Sequence, residues 1–363
     1  MALKSHKIAL RPTDAHRLWF AQQCGYARFA YNNALSDFKV GLSEDVFRSE
    51  IDLNNRWNQR KHEHDWVKAQ DQRAGLYAIK NLGSAIENWK EKRAGFPKFK
   101  RRGCRQSYTT DEQSVKIESN RIKIPKLGWV RMFQELRFEG KIKRVTISRT
   151  AHRWFVSILV ETGKPNAPRD TRGLPVIGVD VGINTLATLD DGTKYHNPRP
   201  LKCYERKLAR EQRKLSKKVF GSNNWYKQKR KVERIHYRIA CIREHEHDNT
   251  TTQILKKASV IGIETLKITN LLKNRNLAKA LSDSALGGFL EKLKSKAEVA
   301  GIAIVQAPQF FASSKTCSNC GHKKEDLLLS QRQYTCESCG FTKDRDVNAA
   351  MNLKKLAVGH SES

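Results

Sequence analysis

The chain has 363 residues and a formal net charge of +32, from 69 lysines and arginines against 37 aspartates and glutamates. Such a surplus indicates a polyanionic partner, and composition alone leaves DNA-packing proteins, RNA-binding proteins and nucleases open. A hydrophobic fraction of 39% with seven Trp excludes a disordered chain. The N-terminus lacks a signal peptide and no apolar run approaches the ~18 residues of a membrane span, so we expect a soluble cytoplasmic protein without a membrane partner.

The N-terminal half predicts a strand, a helical region and a region of short strands. His6–Leu10 alternates like a strand, and apolar residues at three- and four-residue steps predict helices between residues 13 and 92. Period-two alternation, clearest in Trp154–Val160, predicts strands up to residue 162. We therefore expect three segments: the first strand of a small β-barrel module (1–12), a helical subdomain (13–92), and a basic segment with the rest of the barrel (93–170).

The segment Lys90–Arg105 contains eight basic residues in sixteen, and its Gly and Pro residues forbid a continuous helix. It also carries Phe96 and Phe99. A solvated linker is one interpretation. We favour a nucleic-acid contact, because aromatic rings among cations are typical of chains that grip a backbone and stack on bases. The candidate contacts are Lys98, Lys100, Arg101, Arg102 and Arg105.

The C-terminal half alternates strands and helices, which predicts a mixed α/β sheet. Residues 174–179 form a buried-type strand, and Asp191-Gly192 predicts a hairpin turn in which Asp190 also lies. A long polar helix is expected over residues 201–248, followed by a strand at residues 260–263, a helix at 285–300 and a strand at 302–305.

The polar helix carries fourteen Lys or Arg residues between Lys202 and Arg238. A solvated helix face is one interpretation. The alternative is that the helix lines a channel for a nucleic-acid duplex, because the duplex backbone carries the opposite charge. The candidate contacts are Arg213, Lys214, Lys217, Lys218, Lys227, Lys229, Arg230, Lys231 and Arg234. Trp225 and Tyr226, at a break in this helix, are expected to stack on a base or to pack.

Four cysteines give the strongest local signal: Cys317, Cys320, Cys336 and Cys339 form two Cys-x-x-Cys pairs. Two such pairs supply the four thiolates of a tetrahedral Zn²⁺ site, and four protein ligands leave no open position, so one structural zinc ion is expected. Gly321 and Gly340 follow the pairs and can take positive φ. Unmetallated structural cysteines and a redox pair are the alternatives.

Three acidic residues at the ends of predicted elements form a second candidate site. Asp180 and Glu264 each close an apolar strand, and Asp346 begins the last helix. Each could be a turn or cap residue, and Asp344 could cap that helix. If they converge, they would hold two catalytic Mg²⁺ ions about 3.5–4 Å apart for phosphodiester hydrolysis. Gly178 and Gly182 would then allow the scissile phosphate to approach.

The remaining candidate ligands are weaker. The sequence His-Glu-His-Asp occurs at residues 62–65 and 245–248, and we expect both to be surface residues, because His at i and i+2 do not share a helix face. Cys24, Cys104, Cys203 and Cys241 are isolated and are expected to be packing residues or free thiols.

The motifs GVDVGINTLATLDDG, IGIETLKITNL and SSKTCSNCGHK…YTCESCGFTKDRDVNAAMNL resemble the split RuvC motifs and zinc ribbon of the TnpB (OrfB) family. This family consists of transposon-encoded proteins of bacterial insertion sequences that are related to type V CRISPR effectors. YARFAYNNAL and GFPKFKRR resemble its N-terminal signature and basic segment, so the resemblance covers nearly the whole chain.

The resemblance implies a multidomain α/β fold: an RNase H-like (RuvC) nuclease domain (171–312), an inserted zinc ribbon (313–343), and the last RuvC motif with the C-terminal helix (344–363). The helical recognition subdomain and the wedge-like β-barrel precede them. Asp180, Glu264 and Asp346 match the catalytic acids, and the four cysteines match the zinc ligands.

The function implied is RNA-guided cleavage of double-stranded DNA beside a short target-adjacent motif. The guide RNA would come from the transposon end, and the protein would be nucleoid-associated. The sequence leaves the oligomeric state open, and a monomer is favoured. The main alternative is a non-cleaving RNA-guided repressor or transposition regulator, against which the three unsubstituted acids argue.

Overall fold

The computed structural model describes residues 2–102, 105–111, 113, 115–163, 168–327 and 331–361. The chain divides into two compact units, residues 1–165 and 166–363. No helix in this described part combines the length and apolar character needed to cross a bilayer. The finer division into six segments stays a prediction.

The described residues of the first unit form seven antiparallel strands. They are β1 (Ala2–Arg11), β2 (Ser107–Thr110), β3 (Lys116–Glu118), β4 (Arg121–Ile124), β5 (Gly128–Met132), β6 (Lys141–Thr150) and β7 (Arg153–Thr162). Their order in the sheet is β2-β6-β7-β1-β5-β4-β3. Residues 2–9 of β1 pair with β7, and residues 10 and 11 pair with β5. The pairing in the described residues leaves β2 and β3 as edges, so closure into a barrel stays a prediction.

The described part of the first unit also contains four α-helices. They are α1 (Asp14–Ser43), α2 (Glu50–Arg60), α3 (Asp65–Lys68) and α4 (Gln72–Lys90). The Thr13 hydroxyl accepts the backbone N–H of His16, so a capping box starts α1 where its apolar periodicity begins. Phe20 and Phe38 of α1 pack in one core with Leu82 of α4 and Val156 of β7. The helices predicted between residues 13 and 92 are thus confirmed.

The second unit is built on a five-stranded mixed sheet. Its strands are β8 (Val176–Val181), β9 (Thr185–Leu189), β10 (Lys194–His196), β11 (Val260–Ile263) and β12 (Ala303–Gln306). The order is β10-β9-β8-β11-β12, antiparallel from β10 to β8 and parallel from β8 to β12. The mixed α/β sheet predicted from the element order is confirmed.

In the described residues of this unit there are also six helices and a second, two-stranded sheet. They are α5 (Pro200–Ser216), α6 (Asn223–Lys257), α7 (Ile268–Leu271), α8 (Arg275–Ser284), α9 (Leu286–Ala300), α10 (Arg345–Ser361), β13 (Gln333–Thr335) and β14 (Thr342–Asp344). The long polar helix predicted over residues 201–248 is a hairpin of α5 and α6. Helices α7 and α8 were not predicted.

Helix α10 lies on the sheet with its backbone against two strand glycines. A Cβ added to Gly178 of β8 would stand 1.8 Å from the Ala350 carbonyl oxygen, and one on Gly262 of β11 would stand 2.2 Å from that of Leu353. Only glycine permits this contact. The prediction that Gly178 admits a phosphate is therefore wrong, because the helix backbone occupies that space.

Asp190 lies in the predicted turn and also ties α10 to the sheet. Its Oδ1 accepts the Gly178 N–H at 3.0 Å, and its Oδ2 accepts from the Lys354 ammonium at 2.6 Å. The side chain of Asp190 is 9% exposed, so this ion pair is well shielded. The turn position is confirmed, and the link to the last helix is an additional role.

Candidate nuclease site and nucleic-acid surfaces

The register of two parallel strands places Asp180 beside Glu264. Val179 of β8 pairs with Ile263 of β11. The residue that follows each of them in the sequence is an acid, and both acids lie at the same edge of the sheet. Residues two apart on a strand share a face. Asp180 and Glu264 therefore share the face of Gly178 and Gly262, on which α10 lies.

Helix α10 brings the third acid to this edge. It contacts Gly178 at Ala350, and the charge of Asp346, in its first turn, acts on the Asp180 carboxyl, so this turn lies toward the end of β8 that carries Asp180. Asp344 caps the helix: its Oδ1 accepts the N–H groups of Asp346 at 3.0 Å and Val347 at 3.2 Å. The expectation that Asp344 could be the N-cap is confirmed.

The electrostatics of Asp180 show that the other two acids act on it. Burial raises the pKa of the Asp180 carboxyl well above its usual range, and the charges of Glu264 and Asp346 raise it further. The Arg345 guanidinium opposes the shift. A desolvated carboxyl among like charges is stabilised by a cation, so this arrangement is suited to metal ions.

The acids are less tightly gathered than the cysteines. Among the described residues, only the four cysteines form a group of three or more potential ligands whose donor atoms all lie within 4.8 Å of one another. Asp180, Glu264 and Asp346 do not form such a group in the described part of the chain. Glu264 is held in place, because the Ser313 hydroxyl donates to its Oε1.

Two similar turns present the four cysteines. The Cys317 N–H donates to the His322 carbonyl at 2.8 Å, and the Cys336 N–H donates to that of Phe341 at 2.8 Å. Gly321 and Gly340 close the turns with φ of 80° and 70°, which confirms the predicted positive φ.

The thiol geometry fits one zinc ion. The Cys317 and Cys339 sulfurs are 3.8 Å apart, and those of Cys320 and Cys336 are 3.6 Å apart. A tetrahedron with Zn–S bonds of about 2.3 Å has edges of about 3.8 Å. A hydrogen bond from the Phe341 backbone lowers the pKa of the Cys339 thiol to about 6, which favours the thiolate that zinc binds.

The cysteine cluster is fastened to α10. The Asn348 side chain accepts the Ser318 N–H at 2.9 Å and donates to the Thr316 carbonyl at 2.8 Å. Asn352 donates to the same carbonyl at 2.7 Å, and the Lys355 ammonium donates to that of Ser318 at 2.5 Å. The helix that carries Asp346 is thus held by both the sheet and the cysteine turns.

The basic hairpin of α5 and α6 contains a cleft of about 400 Å³. Its lining residues are Tyr204, Lys207, Glu211, Lys214, Lys231, Arg234, Ile235 and Arg238. Three predicted contacts, Lys214, Lys231 and Arg234, line it. Buried Asp283 anchors the hairpin, because its carboxylate accepts the N–H groups of Leu201 at 2.8 Å and Lys202 at 3.1 Å. The hairpin presents these cations from a fixed base.

The basic segment after α4 is docked on α1. The Asn32 side chain accepts the Lys100 N–H at 2.9 Å and donates to the Lys100 carbonyl at 3.0 Å. A cleft of about 220 Å³ there is lined by Cys24, Ala27, Arg28, Lys100, Arg101, Arg105 and Ser107. Lys98 and Arg102 are exposed. Phe96 packs on Phe38 and Trp89, so its predicted role in base stacking is wrong.

One His-Glu-His-Asp prediction is also wrong. Residues 62–65 are exposed as expected, but His247 is buried against Phe289, and its Nε2 is 3.0 Å from the Ser284 carbonyl oxygen. Burial of this face by α9 lowers the pKa of His247 and keeps it neutral. Cys24, Cys203 and Cys241 are free thiols, whereas Cys104 lies outside the described residues.

Sequence reasoning gave no role to Ser313, Arg345 or Lys354. Ser313 and Arg345 lie in the quoted motifs, but the neighbouring sequence does not show their partners. The Ser313 hydroxyl donates to Glu264, and the charge of Arg345 acts on Asp180. The Lys354 contact joins residues 164 positions apart. Lys207 and Arg238 line the hairpin cleft, and their position within the basic stretch was the available signal.

Three family models match the chain. One described as "Probable transposase" (OrfB_IS605) covers residues 157–275, and one described as "Cas12f1-like, TNB domain" covers residues 287–353. A third, described as "Helix-turn-helix domain" (HTH_OrfB_IS605), covers residues 1–41, which fold here as β1 and most of α1.

Similar full-length proteins are found as well. The Escherichia coli (strain K12) protein named "Putative RNA-guided DNA endonuclease InsQ" is 33% identical, over 99% of this chain and 93% of that protein. A "Putative RNA-guided DNA endonuclease" of Streptomyces pristinaespiralis is 32% identical, over 99% and 90%. The solved "mini-RNA-guided endonuclease CRISPR-Cas_phi3" is 10% identical with a TM-score of 0.50, over 98% of this chain and 92% of that chain, and supports a similar fold.

Proposed function

Because the chain belongs to the OrfB (TnpB) family of insertion-sequence proteins, we propose that it is an RNA-guided endonuclease that cleaves double-stranded DNA. The observation that carries the proposal is the convergence of Asp180, Glu264 and Asp346 in a chain with a net charge of +32. The guide RNA would derive from the transposon end, and a short motif would flank the target. A single RuvC-like site would cut both strands.

The three acids would hold two Mg²⁺ ions, because carboxylate oxygens are ligands that Mg²⁺ prefers. When bound, Mg²⁺ supplies Lewis-acid chemistry that activates water and stabilises the departing 3′ oxygen. Asp180 contributes a desolvated charge that needs a cation. Ser313 fixes one oxygen of Glu264, and Gly178 and Gly262 hold α10 close enough for Asp346 to join them.

The four cysteines would hold one structural Zn²⁺ ion. The sulfur spacing fits a tetrahedron, and four protein ligands leave no position for substrate. Through Asn348, Asn352 and Lys355 the zinc ribbon would fix the helix that carries Asp346. Its contribution to cleavage is therefore to position the acid site.

The clefts of the hairpin and of the basic segment would bind nucleic-acid backbones. Each concentrates lysine and arginine in a concave surface, which is the electrostatic requirement for phosphate binding. We propose that the contacts predicted in both regions bind phosphates, and that Lys207, Arg238 and Arg28 do so as well.

The test is to express the protein with its native flanking DNA, sequence the RNA that copurifies, and incubate the complex with a plasmid library of randomised flanks. A defined RNA and flank-dependent cutting that needs Mg²⁺ are expected. Bound RNA with flank-dependent DNA binding but no cutting would establish instead the non-cleaving repressor or transposition regulator. Absence of any defined RNA would contradict both.

A further inference from the structure

The tip of the basic hairpin, residues 217–229, exposes large apolar side chains. Phe220 is 83% exposed, Val219 is 79% exposed and Tyr226 is 47% exposed. The hairpin has its own core of Leu208, Val232, Ile235 and Ile239, which these residues do not join. Large apolar side chains that are exposed together mark a candidate binding site.

The tip is an ordered turn. The Ser222 N–H donates to the Val219 carbonyl at 3.2 Å, and the Ser222 hydroxyl accepts the Trp225 N–H at 3.1 Å to cap α6. Gly221 has a φ of 79°, which lets the chain reverse. The backbone therefore holds Phe220 at the end of the hairpin in a fixed position, which reduces the entropy lost when a ligand binds.

Three aromatic rings are grouped at this tip. The ring centres of Phe220 and Trp225 are 4.7 Å apart, and those of Trp225 and Tyr226 are 5.1 Å apart. The Lys229 ammonium lies over the Trp225 ring at 5.1 Å. Phe220 and Tyr226 leave much of their π surface open to solvent.

The charge around the rings is entirely positive. From residue 212 to residue 232 the chain has eight lysines and arginines and no acidic residue. The hairpin cleft begins at the base of this stretch, with Lys214 and Lys231 on its wall. Among the described residues, the cleft cations Lys207, Lys231, Arg234 and Arg238 have no ion-pair partner, so they are available to an anion.

We propose that the hairpin tip stacks on the bases of unpaired nucleotides while the cleft below it holds the phosphates of the same strand. Aromatic platforms beside a cationic groove are how proteins bind single strands, because every base has a π face and every nucleotide a phosphate. This inference rests on the proposed function, since it takes a nucleic acid as the ligand. It assigns to Phe220 a base-stacking role, which is separate from neutralising the phosphate charges of the backbone.

An anionic membrane is the other polyanion that a basic aromatic tip could contact. The cleft favours a nucleic acid, because it places cations around a concave space of about 400 Å³ that a strand can enter and a flat bilayer surface cannot. Binding to vesicles is therefore included as an outcome of the test.

The first experiment measures the affinity of the full-length protein for a fluorescent oligouridine of about 12 nucleotides, in a salt series. Phe220→Ala should weaken binding about fivefold or more, with an unchanged slope of log K against log salt, because a ring carries no charge. Val219→Ala, the equally exposed neighbour, should match wild type. Phe220→Tyr should restore affinity, and Phe220→Leu, which keeps apolar area without a π face, should not.

A charge control completes this set. Lys207→Ala should lower the slope, as expected for a lost phosphate contact. Oligothymidine and the RNA probe are run in parallel to distinguish DNA from RNA as the source of the unpaired strand, and a duplex of the same length should show no dependence on Phe220.

The second experiment is photocrosslinking with 4-thiouridine in the same oligonucleotide. Cleavage by trypsin after Lys218 and Lys227 releases residues 219–227, and the crosslink is expected on this peptide. No crosslink there, equal affinity of Phe220→Leu and wild type, or Phe220-dependent binding to phosphatidylserine vesicles would overturn the inference. Guided cleavage by the wild-type complex is measured separately. Absence of this cleavage would contradict the proposed function. Cleavage together with oligonucleotide binding that does not depend on Phe220 would contradict only the stacking role of the hairpin tip.

Discussion

The four-cysteine cluster and the three-acid site are assembled in different ways. The cysteines lie within residues 317–339, and two local turns bring their sulfurs within 4.8 Å of one another. The acids span residues 180–346 and are brought together by strand register and by the contact of α10 with two glycines. The cysteine site is therefore encoded locally, and the acid site depends on the fold of the whole second unit.

This difference predicts that the acid site depends on the cysteine cluster, whereas the cysteine cluster does not depend on the acid site. The cysteine turns hold α10 through Asn348, Asn352 and Lys355, so damage to the ribbon should reach the acid site. Damage to the sheet contact of α10 should leave the local cysteine turns able to bind zinc. The following variants test this asymmetry from the largest expected effect to the smallest.

Cys336→Ser should have the largest effect. Structural zinc sites contribute about 10–16 kcal/mol of apparent binding free energy in zinc-finger peptides, so loss of one of four ligands should release the metal. Because the ribbon fixes α10, guided cleavage should be lost with it. Zinc content by mass spectrometry and the thermal midpoint check this. Full zinc content with an unchanged midpoint would show that the cysteines are not a zinc site.

Gly178→Ala should abolish cleavage but spare zinc. The new Cβ would stand 1.8 Å from the Ala350 carbonyl oxygen and 2.6 Å from the Lys354 nitrogen, both backbone atoms. Overpacking costs about 1–3 kcal/mol or more, and we expect the upper end. Gly288→Ala is the matched control, because its Cβ would meet nothing within 4 Å. If both variants unfold at the wild-type denaturant concentration, the contact does not place Asp346.

Lys354→Met should destabilise the second unit by about 1–3 kcal/mol, because the shielded Asp190 carboxylate loses its cation. Asp190→Asn in the same chain should recover part of the loss, since no unpaired charge then remains. Lys256→Met, an exposed lysine on another helix, is the control. Urea unfolding is measured for the wild type, the two single variants, the double variant and the control, and additive effects of Lys354→Met and Asp190→Asn would argue against the pair.

The smallest effects compare two aspartates whose pKa values are raised. Asp180→Asn removes one charge from the acid site and should raise the thermal midpoint in EDTA by about 2–4 °C, equivalent to about 1 kcal/mol. Mg²⁺ should stabilise the wild type and not this variant. A lower midpoint for Asp180→Asn in EDTA would mean that the carboxylate is structural.

Asp71, in the first unit, is the counterpart that belongs to no candidate metal site, and its acidic neighbour is Asp111. Its Oδ1 caps α4 at the Arg73 N–H, and burial raises the pKa of its carboxyl. The folded state thus binds this proton more tightly, so Asp71 stabilises the fold below about pH 4 and loses that contribution as pH rises through the raised pKa. Asp71→Asn keeps the cap and should flatten this pH dependence, equally with and without Mg²⁺. A Mg²⁺-dependent difference would contradict the assignment.

The sequence predicted those features of the molecule that depend on residues close together in the chain. Strand-terminal Asp180 and Glu264 could be found because apolar strands ending in an acid are visible in the chain, and the cysteine turns because spacing fixes them. The roles of Gly178 and Lys354 could not be predicted, since Gly178 meets a helix more than 160 residues away and Lys354 pairs with a turn residue 164 positions away. His247 and Phe96 were misassigned because the neighbours that bury them come from other elements.

Glu264→Gln gives the most direct test of the central claim that the three acids hold the metal ions for cleavage. Glutamine keeps the shape and can still accept the Ser313 hydroxyl hydrogen bond, but it removes the charge that a metal ion needs. With the copurified RNA and a cognate target, target binding and strand cleavage are measured on the same sample. The account predicts binding within about twofold of wild type and cleavage reduced at least about a hundredfold. Cleavage at the wild-type rate would contradict it.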